Sequence, residues 1–270
     1  MNKFFFGLFN SIYKHRNLLV QLIKRNIESR YKGHTLGMLW TIIQPLIMLS
    51  VYTFVFSVVF KARWGDSITS SQGAYAIIMF CGMTLFSLFS ESVNSSCSLI
   101  IGNPNYVKKI IFPLELLPIA QTISTFIIGL GWITLLIIGV FLVVGSLQWT
   151  ALLFPFLLVP LFLVTLGIAF FVASMTVYLR DVQYFTGVIL QILFFVTPIF
   201  YPINAVPEKY RELLLLNPLT ELVENARKVL IYGQSYELRS FIYSFFVSLV
   251  IFFLGYLWFR KTKKGFADVI

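Results

Sequence analysis

Charge is what this sequence has least of. Only 12% of its 270 residues are Asp, Glu, Lys or Arg, about half the roughly 25% of an ordinary soluble domain. Too few charges remain to cover a chain that is 58% hydrophobic with a mean hydropathy of +0.85, which excludes a soluble enzyme and a disordered chain. Cysteine is nearly absent: Cys81 and Cys97 stand apart, without a CxxC pair, so a disulfide scaffold is excluded. Histidine is as scarce. His15 and His34 both precede the first long apolar run, and no HExxH or Cys/His grouping offers a metal site. Neither GxxxxGK[ST] nor GxGxxG occurs, so nothing cradles a nucleotide phosphate. No nucleophile, base and orienter come together as a set. The chain is expected to be no enzyme by itself, to bind no metal and to carry no cofactor.

What it has instead is long apolar runs, with Phe alone supplying 29 residues. About 20 predominantly apolar residues cross a bilayer as a helix. Six runs qualify, at residues 37–60, 74–95, 114–144, 151–178, 184–200 and 241–259. The expected fold is therefore an all-α integral membrane protein, a single transmembrane domain over residues 1–270. The fifth run is the weakest, because Pro198 and Pro202 crowd its end.

The net charge of +10 follows this division. Basic residues dominate residues 1–36 and the stretch after the last run, where Arg260, Lys261, Lys263 and Lys264 follow one another. With six spans both ends face one side, and 14 of the 21 Lys and Arg residues fall there. Excess Lys and Arg mark the cytoplasmic side. The excess is then a record of topology and argues against a nucleic-acid partner. Within residues 14–32, Leu19, Leu22, Ile23 and Ile27 recur at helical spacing against Lys24, Arg25, Glu28 and Lys32. That pattern predicts an amphipathic helix along the inner membrane surface, in contact with membrane lipids.

Residues 201–239 form the longest outer region. Pro207 opens one short helical pattern, Asn217 and Pro218 interrupt it, and a second begins at Thr220, which is a candidate cap. Two readings fit: a re-entrant helical hairpin between helices 5 and 6 that dips into the outer leaflet, or a surface hairpin. Arg180 and Asp181 sit between two apolar runs, either as a locally paired turn or as a contact for a partner. Glu115 is a candidate partner for Lys108, Lys109 or a neighbouring helix. The aromatics of the first run (Trp40, Tyr52, Phe56, Phe60) and of the fifth (Tyr184, Phe185, Phe194) fit ordinary packing and interface anchoring. They also fit the wall of a path, since aromatic faces stack weakly and repeatedly on the apolar faces of sugar rings.

RYKGHTLGMLWTIIQPL at 30–46 and YTFVFSVVF at 52–60 resemble the amino-terminal pattern of polysaccharide and polyol-phosphate export permeases. These are the membrane subunits of type-2 ABC exporters for O-antigen, capsule or teichoic acid. NPNYVKKIIFPLELLP at 103–118, YLRDVQYF at 178–185, FFVTPIFYP at 194–202 and LNPLTELVENAR at 216–227 extend the likeness over nearly the whole chain.

The resemblance implies a homodimer served by two copies of a cytoplasmic ABC ATPase, which would bind ATP and Mg. It implies a lipid-linked glycan or polyol-phosphate polymer as substrate, and a multi-pass position in a bacterial inner or plasma membrane with both ends cytoplasmic. Lys24, Arg25 and Arg30 of the interface helix, with Asn103, Asn105, Lys108 and Lys109, would touch the ATPase. Spans one and five would line the path. Gly33, Gly37, Pro45, Arg180, Asp181, Pro198, Pro202, Asn217 and Pro218 would serve in gating. The competing readings are a type-2 permease for a drug, ion or small lipid, a membrane subunit of a glycan-synthesis complex, and a non-transporting scaffold.

Overall fold

The computed structural model describes residues 10–32, 35–59, 64, 72–108 and 112–270. Gly33, Phe60 and Lys109, named above, lie outside these residues. The described chain is helical, without strands among the described residues. Its helices are α1 (Arg16–Tyr31), α2 (Trp40–Thr53), α3 (Gln72–Cys97), α4 (Pro104–Val107), α5 (Leu116–Val144), α6 (Phe154–Tyr178), α7 (Val182–Val196), α8 (Glu208–Leu215), α9 (Pro218–Leu230), α10 (Leu238–Thr262) and α11 (Phe266–Val269).

Among the described residues, five stretches are long and apolar enough to cross a membrane: Gly37–Phe56, Gly73–Cys97, Leu116–Val144, Trp149–Tyr178 and Leu238–Val269. The fifth expected span is cut short. α7 has 15 residues, about 22 Å at 1.5 Å per residue, against a hydrocarbon core of about 30 Å. It stops because Pro198 disfavours helical backbone at the residue before it, and Thr197 is extended, with φ −68° and ψ 132°. The run expected at 184–200 therefore ends in non-helical chain.

α3 is the most enclosed of the long helices and α2 the least. α3 packs against α5, α6, α7 and α9, whereas α2 leans chiefly on α3 and α5. Ser92 Oγ donates to Thr122 Oγ1 at 3.1 Å, joining α3 to α5. Several other buried hydroxyls bond a carbonyl four residues back in their own helix, as Thr84, Ser96 and Thr165 do.

The most extensive pairing is α6 with α10. It depends on two glycines. A Cβ on Gly255 would collide with the backbone oxygen of Gly167, and one on Gly167 would stand 2.6 Å from Phe252 Cα. Without a hydrophobic drive between helices in lipid, such backbone approach is what dispersion packing requires.

Contacts sort the chain into two ends. At one, Tyr178 Oη donates to Thr262 O at 2.6 Å, Lys263 pairs with Glu115, and α1 buries Leu19 and Leu22. Glu115 thus finds its partner 148 residues away and not in Lys108. At the other, Thr150 Oγ1 donates to Val229 O at 2.7 Å, and Gln148 lies against Gly233. α9 begins at Asn217, whose Oδ1 accepts Leu219 N at 3.0 Å, with Pro218 in the first turn. The expected cap Thr220 is instead buried, with its hydroxyl unpartnered among the described residues. A proline at the first helical position puts the cap immediately before it.

Replacing Gly255 by Ala forces the α6–α10 backbones apart. Overpacking of this kind costs about 1–3 kcal/mol, so the variant should unfold at lower denaturant in a detergent titration. An unchanged midpoint would show that the two backbones do not touch.

Candidate functional site

The break after α7 poses an accounting problem, because carbonyls freed from a helix need donors wherever water is scarce. Each is met. Tyr201 Oη shares its one proton between Phe195 O at 3.0 Å and Val196 O at 3.1 Å. Thr197 O accepts Ile199 N at 2.7 Å. Arg227 takes the next two, with Nη1 donating to Pro198 O at 2.7 Å and Nη2 to Ile199 O at 3.0 Å. Tyr75 Oη, from α3, donates to Phe200 O at 2.9 Å. Burial pushes the Tyr201 phenol above its usual pKa, which keeps it a donor.

Arg227 is the centre of this arrangement. Its side chain is fully buried on α9. Besides the two carbonyls of the break, its Nε donates to Ile78 O of α3 at 3.2 Å. Glu224 answers its charge at 2.7 Å. The guanidinium lies 4.4 Å from the centre of the Trp64 ring. One residue therefore ties α9, α3 and the unwound segment together. A Cβ on Gly82 would reach Arg227 Nη2 at 3.0 Å, so α3 carries a glycine where the head passes. Asn217 adds a second tie, its Nδ2 donating to Thr197 Oγ1 at 2.9 Å. Ser240 Oγ, on α10, bonds Glu221 and accepts Asn225 Nδ2 at 3.0 Å.

Beside the break lies an aromatic cluster. Phe200 stacks on Phe56 with ring centres 4.8 Å apart, and touches Tyr52 at 5.4 Å and Phe194 at 5.0 Å. Phe86 of α3 meets Phe194 at 5.1 Å. Tyr52, Phe56 and Phe194, three of the expected lining residues, are thus gathered from α2, its π-helical extension Phe54–Val59 and α7. Trp40, Tyr184 and Phe185 are not in this group and are exposed.

The opposite end joins α1 to the segment around α4. Arg25 Nη1 donates to Tyr106 Oη at 2.8 Å, with its guanidinium 5.5 Å from that ring. Tyr106 stacks on Phe112 at 4.3 Å. Arg30 pairs with Glu91 at 3.0 Å. Burial raises the pKa of the neighbouring Tyr31, with Arg30 lowering it and Glu91 raising it in smaller measure. Asn103 Nδ2 donates to Leu99 O at 2.8 Å, while Asn105 and Lys108 are exposed. Lys24 faces outward beside Glu28 at 3.8 Å.

The turn residues divide. Gly37 has φ +49°, which glycine tolerates best, and Pro45 is buried inside α2. Arg180 and Asp181 are exposed in the turn before α7 and form no ion pair among the described residues. The reading of a local salt bridge there is corrected: the turn is held by Asp181 O accepting Tyr184 N at 3.0 Å. Pro198 and Pro202 flank the break, and Pro198 offers its carbonyl to Arg227. Arg227 was missed by the sequence reading. The signal was present, because Arg227 falls four residues after Val223 on the apolar face of α9.

A family model described as "ABC-2 type transporter" matches residues 17–231. Among curated proteins, the chain is similar to the O-antigen export system permease protein RfbA of Myxococcus xanthus, at 27% identity over 97% of this chain and 99% of that protein. It is similar to the Klebsiella pneumoniae protein of the same name at 26% identity, over 94% and 95%. It also matches the polysialic acid transport protein KpsM of Escherichia coli at 26% identity, over 90% and 93%.

Replacing Arg227 by Met keeps the bulk but leaves the carbonyls of Pro198 and Ile199 without donors. Each unmet group costs about 1–3 kcal/mol. Amide exchange over residues 197–216 should accelerate about tenfold or more in the full-length chain. Exchange at the wild-type rate would show that Arg227 does not hold the break.

Proposed function

The chain belongs to the ABC-2 type transporter family, and from that membership we propose that it is the channel-forming permease subunit of an ATP-driven exporter. The proposed substrate is a lipid-linked polysaccharide or polyol-phosphate polymer, moved from the cytoplasm across the inner or plasma membrane. The observation that carries this reading is end-to-end similarity to proteins named for O-antigen export and polysialic acid transport, over at least 90% of both chains. ATP and Mg would be bound by two copies of a separate ATPase, since this sequence has no phosphate-binding loop.

The geometry supports a division of labour between the two ends. Lys24, Arg25 and Arg30 on α1, with Asn103, Asn105, Lys108 and Lys109, form the ATPase-facing platform on the cytoplasmic side, and α1 lies along the membrane surface. The Arg25–Tyr106 contact makes α1 and α4 respond together. The hairpin α8–α9 is re-entrant on the outer side, where Arg227 and Asn217 hold it to the broken end of α7. α7 completes a sixth, short crossing, and both chain ends are cytoplasmic.

α7 leaves Tyr184, Phe185, Val188, Ile189, Ile192 and Phe195 uncovered along its length. In a homodimer this stripe and the exposed face of α2 meet their counterparts in a second copy, and the two together line the path. Tyr52, Phe56 and Phe194 then stand where α2 and α7 converge on the break. Closure of the ATPases presses on α4 and α1, and the packed helices carry the displacement to α2 and α7.

Reversing the platform charge tests this. The double substitution Lys108→Glu and Lys109→Glu should leave membrane insertion intact. Polymer-stimulated ATP hydrolysis and export into vesicles should fall by about tenfold or more, measured on the permease purified with its ATPase. Unchanged hydrolysis and export in that variant would refute the coupling role.

A further inference from the structure

A cavity of about 380 Å³ lies between α1, α2, α3 and α5, away from the aromatic cluster and the break. That volume falls in the range of about 300–1,000 Å³ typical of small-ligand pockets. Its lining is unusual for a place beside apolar spans. Trp40 and Trp132 contribute indole rings, and Gln44, Glu91, Thr125 and Arg30 contribute polar groups. Trp40, Arg30 and Glu91 are partly exposed and mark the mouth, at the end where α1 packs. Thr125 is 3% exposed, yet its Oγ1 has no hydrogen-bond partner among the described residues. Gln44 lies within the apolar stretch Gly37–Phe56 and is exposed at the mouth, and its amide has no partner among the described residues.

Unmet polar groups in a membrane span are costly unless something fills them. The chemistry of the lining selects among fillers. A hydrocarbon tail leaves Gln44 and Thr125 unpaired. A phosphate has to approach Arg30, the only cation among the described lining residues, which Glu91 already holds at 3.0 Å. The carboxylate then repels the incoming anion. A sugar ring meets both demands, with C–H faces for the indoles and hydroxyls that both donate and accept for the amide, hydroxyl and carboxylate.

We propose that this cavity between α1, α2, α3 and α5 is a binding site for one glycosyl unit, with Gln44 and Thr125 bonding its hydroxyls and Trp40 and Trp132 contacting its ring. The site rests on the polysaccharide-export reading and names where a sugar of the substrate is recognised on the α1 side, before it reaches the path lined by α2 and α7. Each copy of the chain carries the whole site within itself.

The test uses the full-length chain in lipid nanodiscs and saturation-transfer NMR. The probes are methyl β-D-glucopyranoside and methyl N-acetyl-β-D-glucosaminide, with glycerol 3-phosphate as the headgroup control. At least one glycoside should receive saturation from the wild-type protein. Gln44→Leu and Thr125→Val should each weaken that transfer about fivefold, and Thr125→Ser should retain it. Thr125→Val keeps the shape of the side chain, so misfolding does not imitate the effect. The site is overturned if no glycoside signal appears, if both variants match the wild type, or if glycerol 3-phosphate alone binds. Glycoside binding by a chain that exports no polymer would overturn the export reading and leave the site standing. Polymer export without glycoside binding would do the reverse.

Discussion

A helix that ends inside a packed bundle leaves carbonyls that nothing in its own helix satisfies, and the end of this protein that holds α9 is arranged around that fact. Pro198 makes the break unavoidable, and Arg227 makes it tolerable. A lone buried guanidinium would itself be prohibitive. Here four of its five N–H groups are spent on the carbonyls of Ile78, Pro198 and Ile199 and on the Glu224 carboxylate. The charge and the unwound backbone each solve the difficulty that the other creates. Tyr75, Tyr201 and Asn217 complete the set from three different segments. The position of α9 against α3 follows from these bonds as much as from its apolar face.

Much of the fold was legible because its causes are local. Apolar length located the five helices long enough to cross a membrane, four of them to within four residues and the last running ten residues further to Val269, and the two prolines marked the end of α7. What periodicity misjudged was how far α7 continues, since a hydrophobic run says nothing of where the backbone stops being helical. The pairing of Glu115 with Lys263 was out of reach, because no local pattern joins residues 148 positions apart. Arg227 was hidden by its type. An arginine in a polar-looking stretch reads as a solvated charge until its helical phase places it beside Val223 and Leu230.

The aromatic residues divide in the same way. Composition announced their number but could not assign phase in spans where nearly every position is apolar. Tyr52, Phe56 and Phe194 converge because α2, α7 and the chain after the break meet at Phe200. Trp40 instead turns toward the cavity beside Gln44, while Tyr184 and Phe185 remain on the uncovered face of α7. Residues that look alike in the sequence thus belong to three environments: a packed junction, a polar pocket and an open stripe.

The glycine seam between α6 and α10 also bears on how the subunit deforms. Two backbones in direct contact have no side-chain cushion to compress, so that pair behaves as a stiff strut with one preferred spacing. α2, resting on fewer neighbours, has the opposite compliance. When load arrives at the α1 end, strain concentrates in the soft member and leaves the strut unmoved. In the proposed homodimer the bore between the two copies would then widen by the swing of slender slats against fixed posts, and its width would be set by the travel of α2 and α7.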